Sequence, residues 1–275
     1  MKKIAYFAGG IAVAVSMATI AGSFTAPNTF TSGTTISSAD MNANFAAVKT
    51  AVDDNDARIT TLESGSSCPT DMVPVGPICV DKYEASVWDA ATGGNQTTAA
   101  ACDATGNNCS STNKIYARSV AGVMPTASIT WFQAQQACAN VGKRLLTNAE
   151  WQMAAAGTDD TGDGSTCNVT SGAAVNTGAS PSCVSNWGVN DMVGNVHEWV
   201  ADWVPGGGTF ATNLTTTATY GSDAVHAYNM GTNNFPAAVY RGGAYSATTG
   251  AGVFAYYSSQ APDAAFANIG FRCAK

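Results

Sequence analysis

The sequence predicts an α+β domain tied by disulfides and entered through an N-terminal export segment and helix. Three observations carry this. Eight cysteines all lie beyond residue 67, an even number suited to an oxidised framework. Short apolar runs separated by Gly- and Asn-rich loops alternate with two segments carrying complete helix-start signals. The first residues run Lys2, Lys3, an apolar stretch over 4–20, then Ala21-Gly22-Ser23, the order of an export signal. An uncleaved membrane anchor is the other reading of the same run.

The chain has 275 residues and is 45% hydrophobic, enough for a substantial core. Only 11% of residues are charged and the formal net charge is −7, so a nucleic-acid partner is excluded for want of clustered cations. There is no CxxC and only His197 and His226, a poor basis for zinc. Local spacing groups Cys68 with Cys79, Cys102 with Cys109, and Cys167 with Cys183. That leaves Cys138 with Cys273, although eight cysteines allow many arrangements.

Residues 24–37, rich in Thr, Ser, Gly and Pro, read as a linker after the signal of 1–23. Over 38–64, Phe45, Val48, Val52, Asn55, Ile59 and Leu62 recur at alternating spacings of three and four. This is a coiled-coil seam with one polar Asn to fix register, so a homo-oligomeric stalk is expected, with Ser38 as its N-cap. From 68 onward, "MVPVGPICVDKYEASVW" reads as a strand pair. "SITWFQAQQACANVG" and "LLTNAEWQMAAAG" read as helices, with Thr130/Gln133 and Thr147/Glu150 as capping boxes and Gly142 and Gly157 as stops. Residues 158–185 form a long loop held by two cysteines.

The ordered motifs "GKRLLTNAEWQMAAAG", "WGVNDMVGNVHEWVADW", "YRGG" and "IGFRC" resemble the formylglycine-generating enzyme (sulfatase-modifying factor) domain over residues 68–275. The resemblance implies a C-type lectin-like fold with two helices, a small antiparallel sheet and long loops. It also implies a disulfide from first helix to last strand, matching Cys138–Cys273. The family's signature stretch often holds calcium, so Asp191, Gly194, Val196 and Glu198 are the implied ligands, with a second site around Asn168 and Val169. The alternative is a turn in which Asp191 and Glu198 bond backbone amides. His197 stands where the family usually has Trp and reads as packing.

Family catalysis requires a copper-binding cysteine pair shortly after "RGG". Here that region reads "AYSATTGAGVFAYY", without cysteine, and thiolate chemistry needs a thiol. Two histidines are too few for the iron-dependent relatives. No copper, iron or catalysis is therefore expected. The frame "RGG…AGVFA…AP…NIGFRC" instead resembles the variable region of proteins diversified by retroelements. There, adenine misincorporation at AAC-type codons never writes Lys, Glu, Gln, Trp or Met. Of residues 244–267, only Gln260 lies outside the reachable set. An ordinary loop of small residues is the competing reading. Tyr in a setting of Ser, Gly and Ala suits a binder. The expected face is Ala244, Tyr245, Ser246, Ala247, Gly250, Tyr256, Tyr257, Ser259, Asp263, Ala264 and Phe266, with Tyr245, Tyr257 and Phe266 as anchors and Tyr256 equally able to pack inward. The expected function is an exported, cell-surface or extracellular display protein for a protein or glycan on another cell or particle. A formylglycine-generating-type oxidase and an invariant calcium-dependent adhesin are the alternatives.

Overall fold

The computed structural model describes residues 25–65, 68–159, 161–204, 222–226 and 236–275; the export segment expected over 1–23 lies outside the described residues. Among the described residues no helix is long and apolar enough to cross a membrane. The chain divides into two compact units, 1–67 and 68–275.

The first unit is built on α1 (Ser38–Gly65). Its cap is Ser37, not Ser38: the Ser37 hydroxyl accepts the Asp40 N–H at 3.0 Å, three residues on, as an N-cap must. The preceding segment folds back on the helix. The Asn28 N–H donates to the Asn44 side-chain oxygen and the Asn44 amide returns a bond to the Asn28 carbonyl, both at 2.9 Å. Phe45, Val48, Val52 and Ile59 are exposed, Phe45 by 65%.

In the second unit β1 (Met72–Val75) and β2 (Ile78–Asp81) form a hairpin, and β3 (Ala85–Trp88) pairs with β4 (Tyr116–Ser119). The helices α2 (Trp131–Ala139) and α3 (Asn148–Ala155) open with the anticipated capping boxes at Thr130/Gln133 and Thr147/Glu150. Gly142 and Gly157 follow their ends at φ of 70° and 81°, a conformation that favours glycine. The short strand β5 (Arg144–Leu145) separates them.

A five-stranded sheet carries the rest, from β6 (His197–Val204), β7 (Val225–His226), β8 (Ala237–Arg241), β9 (Tyr256–Gln260) and β10 (Ile269–Phe271), in the order β10-β6-β8-β9-β7. The last strand, β11 (Cys273–Ala274), closes a four-stranded sheet, β1-β2-β11-β5. One small antiparallel sheet was expected; the described residues form three sheets, and the largest is mixed. Its parallel pairs, β10 with β6 and β7 with β9, join segments remote in sequence, which local alternation does not encode.

Both faces of the five-stranded sheet are covered. Trp199 and Tyr240 pack on one side with Trp131, Cys138 and Phe271. Val200 and Val239, their chain neighbours, pack on the other with Leu146 and Trp151, as strand alternation requires. The disulfides are Cys68–Cys79, Cys102–Cys109 and Cys167–Cys183, the pairs that spacing grouped, and Cys138–Cys273, the pair it left and the resemblance implied. Cys138–Cys273 ties α2 to β11. The long loop surrounds a small cluster of its own: Cys167, Val169, Cys183 and Val193, closed by Ala251.

Candidate ligand-binding face

The scaffold beneath the C-terminal segment is a buried polar frame. Arg272, fully buried, donates to the Glu198 carboxylate from Nε at 2.8 and 2.9 Å and from Nη2 at 2.6 Å. Trp151 adds its ring N–H to Glu198 at 2.7 Å. Glu84, which sequence reasoning passed over inside a strand-like run, accepts the Val196 N–H at 3.0 Å and the Asn195 amide at 2.5 Å. Burial, with Asp191 and Glu198 close by, pushes Glu84 well above its ordinary pKa. Asp191 is raised to about 6, chiefly by burial. Three carboxyls share one guanidinium, so the frame favours holding a proton.

This arrangement does not fit the implied calcium set. Both Glu198 oxygens face Arg272, and Asp191 accepts the Gly178 N–H at 2.6 Å. Of the second pair, the Asn168 carbonyl accepts from Asn195 and the Val169 carbonyl from Thr248. Among the described residues no group of three or more His, Cys, Asp or Glu is placed to hold a metal ion. Calcium needs several free hard oxygens, and Glu198 has none to offer.

The segment 244–267 leaves β8, makes a short 3-10 turn at Thr248–Gly250, runs through β9 and loops into β10. Main-chain and frame atoms hold it. The Tyr245 N–H donates to the Asn195 carbonyl at 3.0 Å, and Gly252 donates to Gly242 at 3.1 Å. Tyr256 donates to Ala224, the Pro262 carbonyl accepts from Trp131, and the Phe266 carbonyl accepts from Ser128. Arg241, buried and stacked over Trp151 at 4.5 Å, donates to the Ala255 carbonyl at 2.7 Å and the Val253 carbonyl at 3.1 Å. Its other bonds go to the side-chain oxygens of Asn148 and Gln152. Asp223 accepts the Phe254 N–H at 2.7 Å.

The side chains divide into inward and outward sets. Ala244 and Ser259 are buried, which corrects their place on the expected face; the Ser259 hydroxyl is hydrogen-bonded to that of Tyr240 at 2.6 Å. Tyr257 is likewise no free anchor. It stacks on Tyr240 with centroids 5.0 Å apart, and His197 meets both rings edge-on. Tyr256 packs on the opposite face. Both turn inward because β9 lies within a sheet covered on both sides. His197 is packing, as expected, and burial lowers its pKa to about 3.

The remaining positions form two patches. Tyr245, Ser246, Ala247 and Gly250 lie beside the disulfide loop, where the Tyr245 carbonyl accepts from Gly172. Asp263, Ala264 and Phe266 lie beside the start of α2. Ser246, Asp263 and Phe266 are exposed, as are Thr248, Thr249 and Phe254, which the expected face omitted. Within the frame piece "AGVFA", Phe254 is 37% exposed, whereas Ala251 and Ala255 beside it are fully buried.

Residues 37–275 match the sulfatase-modifying factor enzyme 1-like domain. The chain is 36% identical over 87 residues to the serine/threonine-protein kinase Pkn1 of Chlamydia trachomatis serovar L2 (strain ATCC VR-902B / DSM 19102 / 434/Bu), covering 29% of this chain and 14% of the kinase. Among solved structures it is similar to the Major Tropism Determinant M1 variant, at a TM-score of 0.50 and 22% identity, over 76% of this chain and 53% of that one. Treponema denticola variable protein 1 matches at 17% identity and a TM-score of 0.40, over 75% of this chain and 99% of that one. The chain thus spans about half of the tropism determinant and a small part of the kinase. It belongs to the sulfatase-modifying factor enzyme 1-like domain family and has a C-type lectin-like fold similar to that of the Major Tropism Determinant M1 variant.

Proposed function

We propose that this chain is an exported, self-associating display protein that binds a protein or glycan ligand through the outward side chains of 244–267 and performs no catalysis. One observation carries the reading: the segment is fastened by its backbone, to Asn195, Gly242, Ala224, Trp131, Ser128 and the Arg241 guanidinium. Among the described residues, the outward side chains of Ser246, Thr248, Asp263 and Phe266 take no part in that fastening, so they can change without a change of fold. A rigid mount for variable contacts lowers the ordering cost of binding. All eight cysteines are bridged, which leaves no thiol for the family's copper chemistry. Four disulfides also suit an oxidising compartment.

The stalk supports multivalency. In heptad terms Phe45, Val52 and Ile59 occupy a positions, and Val48, Asn55 and Leu62 occupy d. Arg58 then falls at g and Glu63 at e, a pair of opposite charge between parallel, in-register copies. Parallel association gathers the binding domains at one end and raises avidity without new contacts.

The test is genetic. A near-copy of the coding segment for 244–267, lying beside a reverse transcriptase gene and differing only at adenines, is expected. A locus with no such repeat removes the diversification reading. Copper-dependent oxygen consumption with a cysteine-containing peptide would restore the enzyme.

A further inference from the structure

A pocket of about 670 Å³ opens at the second patch, within the size range of small-ligand sites. Its walls are Phe132, Gln135 and Gln136 of α2, Trp203 near the end of β6, Asn107 of the Cys102–Cys109 loop, and Asp263. The aromatic wall is rigid. Trp203 meets Phe132 at 5.7 Å and 82°, and Trp131 at 4.9 Å and 69°. Trp131 is itself fixed by its ring N–H, which donates to the Val200 carbonyl at 2.7 Å. The backbone N–H of Trp131 holds the Pro262 carbonyl at 3.0 Å, which sets Asp263 beside the rings. Trp203 nevertheless remains 38% exposed.

The chemistry of the lining selects a charge. Among the described residues that line the pocket, Asp263 is the only ionisable one; no Lys, Arg or His is present. An anion would find no counter-charge, in a chain whose net charge is −7. Amides at Gln135, Gln136 and Asn107 serve any polar ligand, but two aromatic rings beside one carboxylate favour a cation. A primary ammonium is strongly hydrated and loses much of that gain on entering. A methylated ammonium is weakly hydrated and fits aromatic surroundings.

We infer that this pocket binds a quaternary ammonium group, with Trp203 and Phe132 as its fixed wall and Asp263 as the residue that sets the charge preference. The inference rests on the display reading only in treating position 263 as variable. On that basis the wall is constant, and the residue drawn at 263 decides which ligand charge the pocket accepts.

The experiment titrates the full chain with choline, its uncharged carbon isostere 3,3-dimethylbutan-1-ol, butylammonium and methyl glucoside, followed by calorimetry and by saturation transfer to ligand methyl protons. Choline is expected to bind, with the isostere about tenfold weaker or more and butylammonium also weaker. Asp263→Asn, an exposed change, should reduce choline affinity to near that of the isostere. Trp203→Ala should abolish binding, and where its loss of packing unfolds the domain, Asp263→Asn decides alone. Equal binding of choline and isostere, preference for the glucoside, or choline binding unaffected by Asp263→Asn overturns the inference. Adenine-confined variation over 244–267 without choline binding removes the pocket and leaves the display reading standing. Choline binding with an invariant segment does the reverse.

Discussion

Replacing Arg241 with Met removes the side chain that clasps the C-terminal segment by its backbone while keeping much of its volume. Four bonds are lost, to the carbonyls of Val253 and Ala255 and to the side chains of Asn148 and Gln152. Hydrogen bonds from a charged donor contribute about 1.5–3 kcal/mol each. Not all of that is forfeited. Asn148 and Gln152 are only half-buried and can turn to water, and the Ala255 carbonyl keeps the Gly242 N–H at 3.3 Å. Burial also costs the guanidinium, lowering its pKa from 12.5 to about 10, which corresponds to about 3 kcal/mol that the neutral Met does not bear. The net loss expected is about 2–4 kcal/mol, a fall in melting temperature of about 10 °C. Its locality is the sharper test. Amide hydrogen exchange at Gly242, Gly252 and Ala255, which bond one another across the loop, should accelerate about tenfold or more at constant protection of Trp199 and Tyr240. Unchanged exchange at those three glycine and alanine amides would refute the idea that Arg241 clamps the segment.

Other outcomes follow from the same geometry. Joint replacement of Ser246, Thr248 and Phe266 by Tyr, Asp and Asn should alter stability by about 1 kcal/mol or less in thermal melts, the range of surface changes. Gly252→Ala should destabilise strongly, since its Cβ would lie 2.0 Å from the Asp223 carboxylate. On acidification, neutral buried His197 contributes stability that is present above its ordinary 6.5 and lost as pH falls toward about 3. Asp81 and Asp191, both raised to about 6 by burial, act oppositely, since their contribution is present below 3.8 and lost as pH rises through 6. His197→Phe should therefore gain about 2–3 kcal/mol relative to the natural chain between pH 6 and 4, read from denaturant midpoints at each pH. Arg58→Glu should reduce the oligomer mass seen by light scattering, and Glu63→Arg added to it should restore the mass.

The legible parts of the fold were those written locally. Thr130 and Gln133, or Thr147 and Glu150, lie three residues apart, and each box forms from those residues alone. The Cys102–Cys109 and Cys167–Cys183 loops close over short separations of 7 and 16. The α1 cap was misplaced by one residue because consecutive serines, 37 and 38, offer the same signal. What was not legible depends on distant partners. Glu84 acquires its role from Val196 and Asn195, more than 100 residues away. Tyr257 turns inward only because β8 and β6 bring Tyr240 and His197 beneath it. Phe254 turns outward where Arg241 and Asp223 hold the loop's backbone, contacts that no local pattern in the sequence encodes.

The central claim, a fixed backbone bearing interchangeable side chains, is tested most directly by sequencing this gene across many independent isolates. Variation is expected at Ser246, Thr248, Asp263 and Phe266, with constancy at Ala251, Gly252 and Ala255, whose side-chain space is closed. A segment identical in all isolates, or substitutions spread evenly over inward and outward positions, would contradict it.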